Sequence, residues 1–125
     1  MNIFIDNIDK ITKENSNFRK VIFTGQHCQL VLMSLKPKEE IGLEVHNTVD
    51  QFFRVESGIA VFEVDNIKHT AQKDFAVIIP AGTLHNVTNI SADEDLKLYT
   101  LYSPANHKDG TVHKTLKDAQ EAEHD

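Results

Sequence analysis

Apolar and polar positions alternate with a period of two in a series of short runs, the pattern of strands with one buried face. Leu96, Leu98, Thr100 and Tyr102 alternate with Lys97, Tyr99 and Leu101. Gln51, Phe53 and Val55 share a face opposite Phe52, Arg54 and Glu56, and Ala60, Phe62 and Val64 alternate with Val61 and Glu63. Within 28–35, Cys28, Leu30 and Leu32 fall on one face. Positions 75–79 are apolar throughout, which predicts a strand covered on both sides. Turn residues separate the runs at 37–42, Ser57-Gly58, Asp65-Asn66, Lys73-Asp74, Pro80-Ala81-Gly82 and 91–95. Many short strands at this spacing predict an all-β sandwich or small barrel.

Helical signals are confined to the two ends. Positions 6–14 carry Ile8 and Ile11 three apart, enough for one or two turns. Thr115 is placed to cap a short helix, with Asp118 three residues on, whose buried face would be only Leu116, Ala119 and Ala122. No internal repeat, low-complexity stretch or linker interrupts the chain, and one domain over 1–125 is expected, with 104–125 as a C-terminal tail.

Composition narrows the function classes. The 125 residues are 40% hydrophobic and 26% charged, enough apolar material for a core. Thirteen Lys and Arg against nineteen Asp and Glu leave a net charge of −6 with no basic cluster. Such a surface gains little from counterion release, so nucleic acid is not an expected partner. No apolar run approaches the roughly 20 residues of a membrane helix, so a membrane is not expected either. The N-terminus lacks the basic and apolar regions of a signal peptide, and a cytoplasmic location is expected. A single cysteine, Cys28, provides no internal disulfide and reads as a small buried hydrophobe opening a strand.

Candidate chemistry gathers at four positions. Glu44 and His46 stand two apart in 43–46, which reads as a strand, so both project from one face. Taken alone, such a pair is most often a solvated surface pair. Gln51 follows on the parity of Phe53 and Val55, which is the inward set if the core takes Phe53. His85 comes just after Pro80-Ala81-Gly82, where a positive φ at Gly82 would aim it inward. One carboxylate, two imidazoles and one amide oxygen suit a divalent transition metal such as Mn, Fe, Ni or Zn, and the lack of thiolate argues against a soft-metal site. The set carries a formal charge of −1, so a bound divalent ion would leave +1 to polarise a substrate oxygen.

The two surrounding segments carry a family resemblance. Gly42-Leu-Glu44-Val-His46-Asn-Thr-Val-Asp-Gln51, continuing to Gly58, resembles the first motif of the cupins: G, five residues, H-x-H, three or four residues, E, six residues, G. Asp74 to Asn89, through Pro80-Ala-Gly82 and His85, resembles the second: G, five residues, P-x-G, two residues, H, three residues, N. His46 and His85 match directly, whereas Glu44 replaces the first histidine and Gln51 the acidic residue. Lys38 occupies the place of the first motif's opening glycine, and Asp74 that of the second. The resemblance implies a cupin double-stranded β-helix, a jelly-roll barrel, with Glu44, His46, Gln51 and His85 as metal ligands near its open end. It also implies a homodimer and a small-molecule substrate.

Similar small bacterial cupins share the stretch Asp50-Gln51-Phe52 and the tail from Tyr102 to Thr115, and are often labelled mannose-6-phosphate-isomerase-like. The leading expectation is a metal-dependent enzyme of isomerase, epimerase or lyase type on a small polar metabolite such as a sugar or keto acid. Its competitors are a non-haem Fe(II) oxygenase using Glu44, His46 and His85, and a non-catalytic binding or regulatory module. No general base is named. Of the remaining residues, Asp50 and Arg54 read as an exposed ion pair, and His27 and His69 as ordinary surface or strand residues. His107 and His113 fit no zinc spacing and read as part of a mobile loop. Tyr99 and Tyr102 lie on opposite strand faces, so at most one reaches the interior.

Overall fold

The structure, a computed structural model, describes residues 2–123. Two antiparallel sheets face each other. The larger is built from β1 (Arg19–Thr24), β2 (Gln29–Leu35), β3 (Asp50–Ser57), β6 (Ala76–Ile79), β8 (Leu96–Ser103) and β9 (Val112–His113). The smaller contains β4 (Ile59–Val64), β5 (Ile67–Gln72) and β7 (His85–Asn89). Their strand orders are β6-β3-β8-β2-β1-β9 and β5-β4-β7, so β3 and β4, consecutive in the chain, lie in different sheets. This is the jelly-roll arrangement that the alternation and the two motifs predict.

The corner between β3 and β4 depends on Gly58. Its φ is +93°, and a Cβ there would stand 2.7 Å from the Asp95 carbonyl oxygen. Any side chain would meet both the left-handed backbone penalty and a backbone clash. Inside the turn, Val31, Met33, Phe53, Val55, Leu96 and Leu98 of the large sheet pack on Ala60, Phe62 and Val87 of the small one. The Phe53 and Phe62 rings meet edge to face across the gap, centroids 5.1 Å apart.

Strand β2 is buried at every position, because α1 (Ile8–Glu14) and the N-terminal segment cover the outer face that carries Leu30 and Leu32. Asn7 caps α1, accepting from the Lys10 amide. At the other end α2 (Leu116–Glu123) is capped by Thr115, whose hydroxyl accepts from the Asp118 amide at 3.0 Å. Ala119 is buried there and Ala122 exposed, so this helix docks by little more than one turn. No helix of the described residues is long and apolar enough to cross a membrane.

Four local expectations are corrected. Positions 75–79 are not covered on both sides: β6 is the edge of the large sheet, with Phe75 47% and Ile78 66% exposed. Cys28 precedes β2 in an exposed turn and is not a core residue. Positions 43–46 are extended but pair only through the single bridge between Glu44 and His85. Arg54 pairs with Asp74 and Glu56, while Asp50 accepts from the Ala81 amide at 2.9 Å. Four strands escaped the periodicity reading: β1, whose alternation is blurred by apolar residues on both faces, β5, which is largely exposed, and β7 and the two-residue β9.

Candidate metal centre

Backbone hydrogen bonds bring the two motifs together. The Glu44 amide donates to the His85 carbonyl at 2.9 Å and the His85 amide returns to the Glu44 carbonyl at 3.0 Å. The Gly82 amide donates to the His46 carbonyl at 2.8 Å, and the Gly42 amide to Asn86 Oδ1 at 2.9 Å. Gly82 has the expected positive φ, +83°. Residues 38–44 thus run beside β7, and the alternation holds: Leu43 and Val45 face solvent while Glu44 and His46 turn inward. The motif glycines replaced by Lys38 and Asp74 mark turns that still need a left-handed residue. Lys38 has φ +70° and Asp74 φ +73°.

Glu44, His46 and His85 converge, with one donor atom from each lying within 4.8 Å of the others. His46 Nε2 and Glu44 Oε2 are 2.9 Å apart. That matches the ~3.0 Å edge of an octahedron with ~2.1 Å bonds, so the two atoms are spaced to share one ion. His85 Nδ1 lies 3.0 Å from the Thr83 carbonyl, which can only accept. Nδ1 therefore carries the proton and Nε2 is left as a lone-pair donor, the tautomer a metal ligand requires.

Gln51 supplies the most pointed observation. It is 2% exposed, on the inward face beside Phe53, and its Nε2 donates to Thr100 Oγ1 at 3.0 Å. Its Oε1 is buried with no hydrogen-bond partner. An orphaned buried carbonyl oxygen costs about 1–3 kcal/mol. Gln51 pairs in register with Tyr102, whose ring packs on His46, and an oxygen that lacks a donor suits a cation, so the donor set fits a divalent ion.

The chain matches the Cupin domain family over residues 31–102. It is a cupin. Relatives match the chain over nearly its whole length. The uncharacterized protein YrkC of Bacillus subtilis is 45% identical over 126 residues, covering 96% of this chain and 67% of that protein. An uncharacterized protein of Acanthamoeba polyphaga mimivirus is 43% identical over 113 residues, covering 88% of this chain and 71% of that one. The crystal structure of BH2720 from Bacillus halodurans superposes with a TM-score of 0.92 at 43% identity, covering 96% of this chain and 95% of that one.

In this cupin the polar interior extends beyond the four predicted positions. Burial pushes the Glu44 carboxyl upward, but the hydrogen bond with His46 and the charges of His46, Arg19 and His85 outweigh it, and it lies below the usual glutamate range. Of the two tyrosines, Tyr102 is the inward one, 2% exposed, while Tyr99 stacks on Phe52 outside. Burial raises the Tyr102 phenol, which stays protonated. Its ring stands edge-on to His46 at 5.8 Å and to His107 at 5.1 Å.

The His107 loop is no free segment. Gln29 clamps it, donating to the His107 carbonyl at 2.7 Å and accepting from the Asn106 and His107 amides. His107 Nε2 lies 3.3 Å from the Tyr102 hydroxyl. Burial, and then the Arg19 charge, depress the His107 imidazole to about 4, so it is neutral at neutral pH. His113 lies in β9, with Nδ1 3.3 Å from Arg19 Nη1.

Arg19 is the residue that the sequence reading passed over. It lies on the inward face of β1, opposite Met33, and is 3% exposed. Its guanidinium sits 5.4 Å from the Phe18 ring centroid, worth about 0.5–2 kcal/mol. That is less than the several kcal/mol lost on burying an uncompensated charge.

A surface depression of about 370 Å³ lies elsewhere, between the N-terminal segment, α1 and the outer face of the large sheet. It carries no potential ligand histidine and is lined by Phe4, Ile11, Ile22 and Leu32 among others. Burial and donor geometry, not cavity size, locate the chemistry.

Proposed function

We propose that this cupin binds one divalent transition metal ion through Glu44, His46, His85 and Gln51, and acts as a metal-dependent enzyme on a small polar metabolite. The reaction is of isomerase, epimerase or lyase type, on a sugar or keto acid. The observation that carries the reading is the convergence of the Glu44, His46 and His85 donors, and the unpartnered Gln51 oxygen in the same barrel interior supports it. A bound ion supplies Lewis acidity toward a substrate carbonyl or hydroxyl oxygen. The protein's part is to position and to exclude water. His85 is fixed by Thr83, and Gln51 by Thr100. Tyr102 presents a phenol that stays protonated beside the site, suited to donate a hydrogen bond to substrate oxygen.

Elemental analysis of freshly purified protein tests the proposal. About one equivalent of a first-row metal is expected in the wild type, and almost none in His85→Ala with its strands intact by circular dichroism. Full occupancy of the variant would remove His85 from the site.

A second reading is favoured by one feature. Glu44, His46 and His85 form a two-histidine, one-carboxylate set, which suits Fe(II) oxygenases. Oxygen uptake by the Fe(II) protein with a candidate substrate separates the two readings, because isomerisation consumes no oxidant. Metal binding with no turnover of any small metabolite would favour a binding or regulatory role.

A further inference from the structure

The interior contains a buried cation that the proposed metal centre does not use. Arg19 makes no ion pair with any carboxylate among the described residues. Its Nε is buried without a hydrogen-bond partner. Among the described residues its one side-chain hydrogen-bond contact is with His113 Nδ1 at 3.3 Å. A guanidinium can only donate, so that nitrogen is the unprotonated one and the imidazole it belongs to is neutral. The charge of Arg19 is therefore not cancelled at contact. It is felt through the interior at Glu44, Tyr102 and His107. Glu44 is near enough to feel that charge but makes its ion pair with His46, not with Arg19.

We propose that Arg19 is the anion anchor of the barrel, so that the ligand of the metal centre is a small carboxylic acid whose carboxylate pairs with the guanidinium while its other oxygens face Glu44, His46 and His85. The inference rests on the proposed metal site for the second half of that statement only. A carboxylate fits better than a phosphate. One permanent cation, touching neutral His113 and sharing the interior with neutral His107 and the Tyr102 phenol, matches a single negative charge, whereas a phosphate dianion calls for more. The acid also enters beside Glu44, and a second ligand charge would add repulsion there. Within the sugar-or-acid range proposed above, Arg19 selects the acids.

The chain has two arginines, and the half-buried Arg54, paired with Glu56 and Asp74, serves as an internal control. Nitrogen-15 spectra of the arginine Nε–H groups are recorded while acetate, pyruvate or succinate is added at constant ionic strength, and again with the matching amides. The expected result is a saturable shift of the Arg19 signal with at least one acid, none with its amide, and no saturable shift at Arg54. Arg19→Gln should weaken that acid roughly 10- to 100-fold by calorimetry, the range of a charged hydrogen bond. The variant should keep the metal stoichiometry of the wild type. Equal binding of acid and amide, an Arg19 signal that responds to no acid, or an Arg19→Gln affinity within twofold of wild type would overturn the proposal. Tighter binding of inorganic phosphate than of every acid would overturn the carboxylate assignment. If Arg19→Gln fails to fold, the wild-type spectra decide. Acid binding at Arg19 in a protein that takes up no metal would sink the metal reading and leave the anchor standing; metal uptake without acid binding would do the reverse.

Discussion

Two polar clusters share one barrel interior, and they are built on opposite plans. Glu44, His46 and His85 come from extended or turn-following segments that a ladder of backbone hydrogen bonds locks together. Their polar atoms already face one another, and their formal charge is negative. Arg19, His107 and His113 come from a strand, a clamped loop and a two-residue strand. This second cluster is cationic, and its central charge has no carboxylate partner among the described residues. The difference teaches that donor convergence marks a site for a cation, whereas an uncompensated buried charge marks a place where something of opposite sign is missing.

The most severe way to break the comparison is to remove a donor from the first cluster. Glu44→Ala is expected to weaken metal binding by at least about 100-fold, beyond the usual effect of a ligand's supporting residue. Calorimetric titration of the metal-free protein measures it, and unchanged affinity would show that the carboxylate is a spectator.

Acid separates the clusters by window. The His107 imidazole sits at about 4 in the fold against an ordinary 6.5. A histidine with a lowered folded value stabilises the neutral form, so its contribution is complete above about 6.5 and is lost as pH falls toward 4. The loss is at most about 3 kcal/mol. Glu44 is lowered as well. Its contribution is present above the unfolded glutamate value of about 4.3 and disappears below it. Urea unfolding of metal-free protein between pH 7 and 4 should therefore show falling stability, and His107→Gln should flatten that slope. An equally steep slope in the variant would place the titration elsewhere.

Gln51 sharpens the first cluster from the other side. Gln51→Glu offers a charged oxygen where the amide oxygen is now unpartnered, and roughly 10-fold tighter metal binding is expected, near the lower end of what supporting groups contribute. Weaker binding would mean that Oε1 does not face the ion.

The smallest effect concerns the backbone beneath the cluster. Lys38 holds a positive φ that costs a non-glycine residue about 1–2 kcal/mol. Lys38→Gly should stabilise the protein by roughly 0.5–1 kcal/mol after the added freedom of the unfolded chain is deducted. Thermal melting would detect it, and a destabilised variant would show that the Lys38 Nζ contact with the Ile90 carbonyl outweighs the strain.

The legible part of the molecule was whatever a local rule decides. Alternation grouped Gln51 with Phe53 and Leu98 with Tyr102 on shared faces, which the fold turns inward, and the two-residue spacing put Glu44 and His46 on one face. Motif spacing linked them to His85 across the chain. What failed was less local. The run 75–79 looked doubly buried because apolar content records no neighbours, and β6 has only β3 beside it. The Asp50–Arg54 pair was displaced because Asp74 and Glu56 reach Arg54 in the fold.

The order of side chains along the strands determined by itself that this chain is all-β and which residues share a face, because a period of two is a property of the extended backbone; the resemblance of the two motifs narrowed that to a jelly-roll barrel. Only the tertiary structure decided which strand lies at an edge, that Gln51 keeps a bare oxygen, and that Arg19 is enclosed without a counterion. Those outcomes depend on what stands opposite a residue, and cross-sheet neighbours are set by chain reversal and strand pairing over tens of residues.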